Sequence, residues 1–130
     1  MNYGKESGKL EFKKTTGEIK EAMNSICAIL NKHGIGTLYF GIKPNGDVCG
    51  QDVSESSLRD VSRTVFESIK PQIYPIIEDL ACEGKHIIKV EFSGEDAPYS
   101  AYGKYYSHSS GILGAESVFL GIFSVRNRID

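Results

Sequence analysis

The sequence predicts an α+β fold, a mixed β-sheet with two main helices in a single domain, and three observations predict it. The run Leu38-Tyr39-Phe40-Gly41-Ile42 is β-rich, bounded by glycines and too short for a membrane span, which makes it a central strand. Two further stretches, 9–13 and 86–92, alternate apolar and polar side chains as half-buried strands do. Between the strand signals lie two segments whose apolar residues recur at helical spacing, 19–30 and 58–69. A chain of 130 residues suits one domain around one core.

Taken in order, residues 1–8 read as a mobile lead-in that carries Glu6. In Lys9-Leu10-Glu11-Phe12-Lys13, Leu10 and Phe12 point to the core while Lys9, Glu11 and Lys13 share the opposite face. Thr15 and Glu18 have capping-box spacing, with Thr15 as N-cap and Glu18 three residues on. The helix they open carries Ile19, Ala22, Met23, Ile26, Ile29 and Leu30 on one stripe, and Lys14, Lys20 and Lys32 lie outside it. Gly34 supplies a left-handed cap, and Gly36 lets the chain turn tightly into the central strand. That strand, buried on both faces, requires cover on each side, which the flanking helices can supply. Pro44-Asn45-Gly46-Asp47 is a turn, after which Val48-Cys49-Gly50 returns antiparallel. Ser54 caps a second helix that buries Leu58, Val61, Val65, Phe66 and Ile69 and stops at Pro71. Strands follow at Tyr74–Leu80 and His86–Phe92, joined at Glu83-Gly84-Lys85, and then an aromatic, polar stretch from Pro98 to Tyr106.

Composition narrows function little. The net charge of −2 lends no support to a bulk electrostatic grip on nucleic acid, so any phosphate contact needs a local basic patch. Cys27, Cys49 and Cys82 are far apart, sit in apolar patterns and form no zinc-type cluster, so they read as buried free thiols. The polar N-terminus has no signal-peptide core, which points to a reducing cytoplasm and no membrane partner. The glycines at 34 and 36 are not a P-loop: GxxxxGK[ST] is absent, and the turn runs from helix to strand.

Several strings in fixed order carry a resemblance. ESGKLEFKK at 6–14, ICAILN at 26–31, GTLYFGIKPNGDVCGQ at 36–51, KPQIYPIIED at 70–79, GKHIIKVEF at 84–92 and APYSAYGKYY at 97–106 resemble the Schlafen/AlbA-like DNA-binding domain, the N-terminal domain of bacterial transcriptional regulators. The resemblance covers roughly residues 5–106, most of the chain, which puts the domain at 1–106, and it implies a nucleic-acid-binding module. Some animal Schlafen members are metal-dependent RNA endonucleases that use two acids in the E-x4-E-F-K segment and a third just after the central strand. Glu6 and Glu11 match the first two, so an alternative reading has them hold Mg or Mn as a nuclease site. The third position is Lys43, and an ammonium there cancels the charge a metal needs. His108 stands where the family commonly has Arg, and residues 107–130 diverge into an apolar tail, either truncated or read out of frame.

Glu11 between two lysines could be a metal ligand, but with the third acid missing it reads rather as an exposed strand carboxylate paired with its lysines. Lys9, Lys13, Lys14, Lys32 and Lys104 are either solvated faces or a phosphate-facing surface. Tyr99, Tyr102, Tyr105 and Tyr106 either stack on bases or pack as an edge strand, in which case one of the adjacent pair Tyr105 and Tyr106 faces inward. With the resemblance, the favoured reading is a non-catalytic domain binding nucleic acid, DNA before RNA, through Lys9, Lys13, Lys14, Lys104, Tyr102 and Tyr105. The apolar tail (Val118, Phe119, Leu120, Ile122, Phe123, Val125) offers a third reading, self-association as a homodimer.

Overall fold

The computed structural model describes residues 1–107 and 111–112. Strand β1 (Leu10–Lys13) leads through a 3-10 turn (Thr16–Glu18) into α1 (Ile19–His33), then β2 (Ile35–Phe40). Helix α2 (Glu55–Ser68) follows, then β3 (Ile69–Lys70), β4 (Ile76–Cys82), β5 (Lys85–Ser93), β6 (Ser100–Ala101), β7 (Lys104–Ser107) and β8 (Gly111–Ile112). The main sheet has the order β1-β2-β5-β4, mixed because β1 runs parallel to β2 while the other pairs are antiparallel. A second, smaller sheet has the order β3-β6-β7-β8. The fold class is the α+β arrangement read from the sequence. Among the described residues no helix is long and apolar enough to cross a membrane.

Local chemistry explains the helix ends. Ser54 accepts from the Ser57 N–H at 3.2 Å while Ser57 Oγ accepts from the Ser54 N–H at 2.7 Å, a reciprocal cap. Gly34 is left-handed at φ 76° and closes α1 with its N–H on Leu30 O at 3.0 Å. The first cap differs from expectation. Thr15 Oγ1 accepts from Gly17, and the Glu18 carboxylate accepts from Lys14, because a 3-10 turn precedes α1.

Both helices cover one face of the main sheet. Met23, Ile26, Leu30, Val61 and Val65 pack with Leu38, Phe40, Ile88, Val90 and Phe92 in the principal core. This corrects the expectation that β2 has a helix on each side. Its residues alternate, with Gly36, Leu38 and Phe40 buried and Thr37 and Tyr39 half-buried. The opposite face carries a second cluster, Phe12, Ile42 and Ile87, with Tyr3, Leu10, Tyr39, Val48 and Leu80 against it. Residues 1–8, expected to be mobile, are its cover: Tyr3 donates to Gly46 O at 2.8 Å, Val48 donates to Met1 O at 3.1 Å, and the Tyr3 ring lies 5.0 Å from Tyr39. The apolar ring of Tyr3 does there what a helix was expected to do.

Other corrections follow from packing. The expected strand at Val48–Gly50 shrinks to one bridge, Ile42 with Val48, since Cys49 and Gly50 both donate to Gly41 O. Gly36 lies inside β2, and its requirement is space: a Cβ would sit 2.6 Å from Ile29 Cγ2. Phe66, expected in the α2 core stripe, is 43% exposed and meets the Tyr74 ring at 6.2 Å. Cys27 and Cys82 are buried, but Cys49 is only half-buried.

Candidate nucleic-acid interface

The register of β1 on β2 decides what its acids and lysines face. Glu11 lies opposite Leu38 and Lys13 opposite Phe40, so both point to the side that carries α1. Their shared face is therefore the helix side, and Leu10 and Phe12 supply the second cluster. Glu11 Oε2 accepts from Ser25 Oγ on α1 at 2.9 Å and lies 3.6 Å from Lys13 Nζ. Glu6 Oε1 accepts from the Phe12 N–H at 3.0 Å. Phe12 stands on the edge strand of the sheet, so Glu6 satisfies a backbone donor that would otherwise be unpaired.

These contacts occupy one oxygen of each carboxylate and set an ammonium beside Glu11, where a hard cation would need negative charge. One oxygen of Glu6 serves a backbone donor, one of Glu11 serves Ser25 and Lys13, and the third family position is the ammonium of Lys43. The nearest acid in sequence, Asp47, is bonded by Asn2 at 2.7 Å and Asn45 at 3.2 Å. Among the described residues no group of three His, Cys, Asp or Glu side chains could hold a metal ion. The donor set does not fit Mg or Mn.

Burial raises the Glu6 carboxyl above its ordinary 4.5; the bond from Phe12 works against that rise, the nearby Glu11 charge adds to it, and Lys13 again opposes it. An acid whose folded value is raised destabilises the fold once both states are ionised, and ceases to do so as pH falls below the unfolded value. Glu6→Gln keeps an acceptor for Phe12 and removes that charge. Its melting temperature is expected to equal or slightly exceed wild type at neutral pH, with the difference vanishing below about pH 4.5. A clear loss of stability at neutral pH would show that the charge itself is needed.

The six residues proposed to meet nucleic acid fall in separate places. Lys9 is exposed and borders a groove of about 380 Å³ with Ile35, Tyr74, Ile76 and Glu91. Lys13 is half-buried against Glu11, roughly 13 Å further along the strand. Lys14 is exposed beyond the end of β1. Lys104, Tyr102 and Tyr105 belong to the β6–β7 hairpin, which packs against α1. Lys104 and Tyr102 are exposed, Tyr105 is half-buried opposite Ser100, and Tyr106 packs on the principal core. Tyr99 is 1% exposed and cannot stack on a base. His108 and the apolar tail from Val118 to Val125 lie outside the described residues.

The hairpin brings in residues that sequence reasoning did not select. Lys20 Nζ sits 5.8 Å from the centre of the Tyr102 ring. Lys70 shares with Tyr102 a groove of about 320 Å³, its Nζ 3.3 Å from Phe66 O. Asn31 ties the hairpin to α1: Nδ2 donates to Tyr99 O at 3.0 Å and to Tyr106 O at 2.9 Å, and Oδ1 accepts from the Tyr99 N–H at 2.6 Å. Cys27, one turn earlier, donates to Tyr99 O at 3.0 Å, and burial pushes its thiol up to about 11, leaving it unreactive. One signal was available. Lys20, Asn24, Cys27 and Asn31 fall on one side of α1 beside its apolar stripe, a weakly polar row suited to a partner inside the chain.

A mixed sheet with both helices on one face and a lysine-flanked aromatic hairpin beside α1 defines a small α+β domain of one recognisable kind. The chain belongs to the Schlafen, AlbA_2 family, whose model matches residues 6–114. No curated protein matches it. Among solved structures, it is similar to the DIP2311 protein from Corynebacterium diphtheriae, with a TM-score of 0.62 and 13% identity over 77% of this chain. The chain spans only 20% of that protein's length. It is also similar to the N-terminal domain of an ATP-dependent DNA helicase RecG-related protein from Nitrosomonas europaea, with a TM-score of 0.58 and 21% identity over 85% of this chain and 76% of that one. At these identities the likeness is one of fold.

Proposed function

We propose that the chain is a nucleic-acid-binding domain, of DNA before RNA, that serves a transcriptional regulator and has no catalysis of its own. The observation that carries this reading is the Lys20 ammonium held 5.8 Å over the exposed ring of Tyr102 at the hairpin tip. A ring and a cation presented together to solvent can take a base and a phosphate of the same strand. Lys104 directly follows the same turn, and membership of the Schlafen, AlbA_2 family and fold likeness to a domain of a helicase-related protein are in keeping with it. The absence of catalysis is supported by Lys13 beside Glu11 and by Lys43 in the third acid position.

Gel-shift titration across a salt series is the test. Binding is expected to weaken steeply with salt, and Lys20→Glu and Lys104→Glu each to weaken it further and to lower the salt slope by about 1. A wild-type chain that binds neither DNA nor RNA at low salt would end this reading.

A further inference from the structure

We propose that the groove beside the β6–β7 turn holds a single unpaired nucleobase stacked on Tyr102, an inference that rests on the nucleic-acid reading above. The turn has two residues, Tyr102 at φ 52° and Gly103 at φ 77°, both left-handed. Such a hairpin turn favours Asn-Gly or Gly-Gly, because only those residues adopt the pair without steric cost. Gly103 meets the requirement; Tyr102 is a bulky L-residue held in a region it normally avoids. Burial does not offset the strain, since Tyr102 remains 43% exposed. The hairpin is held in place by other means, the Asn31 bonds and the Tyr102 N–H on Ser68 O at 3.0 Å. What the strained position achieves is to present a flat aromatic face over a groove.

The groove's chemistry favours a base over a phosphate. It is lined by Thr64, Glu67, Ser68, Lys70, Tyr102 and Gly103 and has a volume of about 320 Å³. The hydroxyls are engaged within α2, Thr64 Oγ1 on Asp60 O at 2.8 Å and Ser68 Oγ on Thr64 O. The Glu67 carboxylate would repel a phosphate but accept from the amino or imino N–H of a base. Of the cations, Lys70 lines the groove with its Nζ 3.3 Å from Phe66 O, while Lys20 stands 5.8 Å over the Tyr102 ring and Lys104 just after the turn, where flanking phosphates would pass. In a duplex both faces of each base are covered by its neighbours, so a base can lie on Tyr102 only when unstacked.

Fluorescence anisotropy with a labelled single strand of about ten nucleotides, and with the blunt duplex of the same sequence, tests this. The wild type is expected to bind the single strand more tightly, and Tyr102→Phe to match it. Tyr102→Gly places in the turn the residue its geometry prefers, so its melting temperature is expected to hold or rise. Its affinity for the single strand is expected to fall about tenfold or more, with little change for the duplex. Equal or tighter binding of the duplex, or a Tyr102→Gly chain that holds the single strand as well as wild type, would overturn the base pocket and leave lysine-driven binding intact. No binding of either form by the wild type would remove the nucleic-acid reading itself.

Discussion

Asn31→Ala is expected to lower stability by about 3 kcal/mol and the melting temperature by about 10 °C. The side chain meets three backbone groups of the hairpin, Tyr99 O, Tyr106 O and the Tyr99 N–H, at 3.0, 2.9 and 2.6 Å. Alanine leaves all three without that partner in a partly buried place, and an unpaired group there costs about 1–3 kcal/mol. Asn31→Asp keeps the acceptor for the Tyr99 N–H but sets a carboxylate oxygen against the Tyr99 and Tyr106 carbonyls, so it should be no more stable than alanine. Because β7 lies along α1, the alanine variant should also bind nucleic acid more weakly, even at temperatures where it stays folded. Denaturant unfolding and anisotropy on the same samples check both parts. A variant as stable as wild type would show that water replaces the clamp at little cost.

Tyr99→Ala should cost about 3–5 kcal/mol, the range for deleting a buried aromatic ring. Tyr99 is among the largest fully buried side chains, and its ring packs over Gly94, where there is no room for a Cβ. Its Oη accepts from the Asp96 N–H at 2.9 Å, so Tyr99→Phe isolates that bond and should cost about 1 kcal/mol. Combined with Asn31→Ala, the loss should be less than the sum, because both changes release the same hairpin. Strict additivity in a double-mutant cycle would mean that the two residues hold different parts of the chain.

The helix caps at Ser54 and Gly34, the turn at Asn45-Gly46 and the alternation of β1 and β5 were all legible in the sequence. Each is a signal that residues a few positions apart give one another. The acids at 6 and 11 were also legible as a matched pair, and their neighbourhood does carry Glu11's charge to Glu6. Their actual partners were not, because Ser25 and the Phe12 N–H reach them only once α1 and the edge of β1 are in place. Tyr102 could be selected as an aromatic beside a lysine. Lys20 could not, since it lies 82 positions from that ring in sequence and reaches it only through the packing of β7 along α1.

By itself the sequence determined the two helices and the longer strands, and which side chains of a strand share a face, because period and capping are local properties of the backbone. The one-bridge return at Val48 and the two-residue strands were not among them. Only the tertiary structure decided what stands on each face. It put both helices on one side of the main sheet and the N-terminal residues on the other. It also buried Tyr99 while leaving Tyr102 exposed, three residues on. Alternation says that two residues point the same way and nothing about what they meet. That is set by strand order and register, which join residues far apart along the chain.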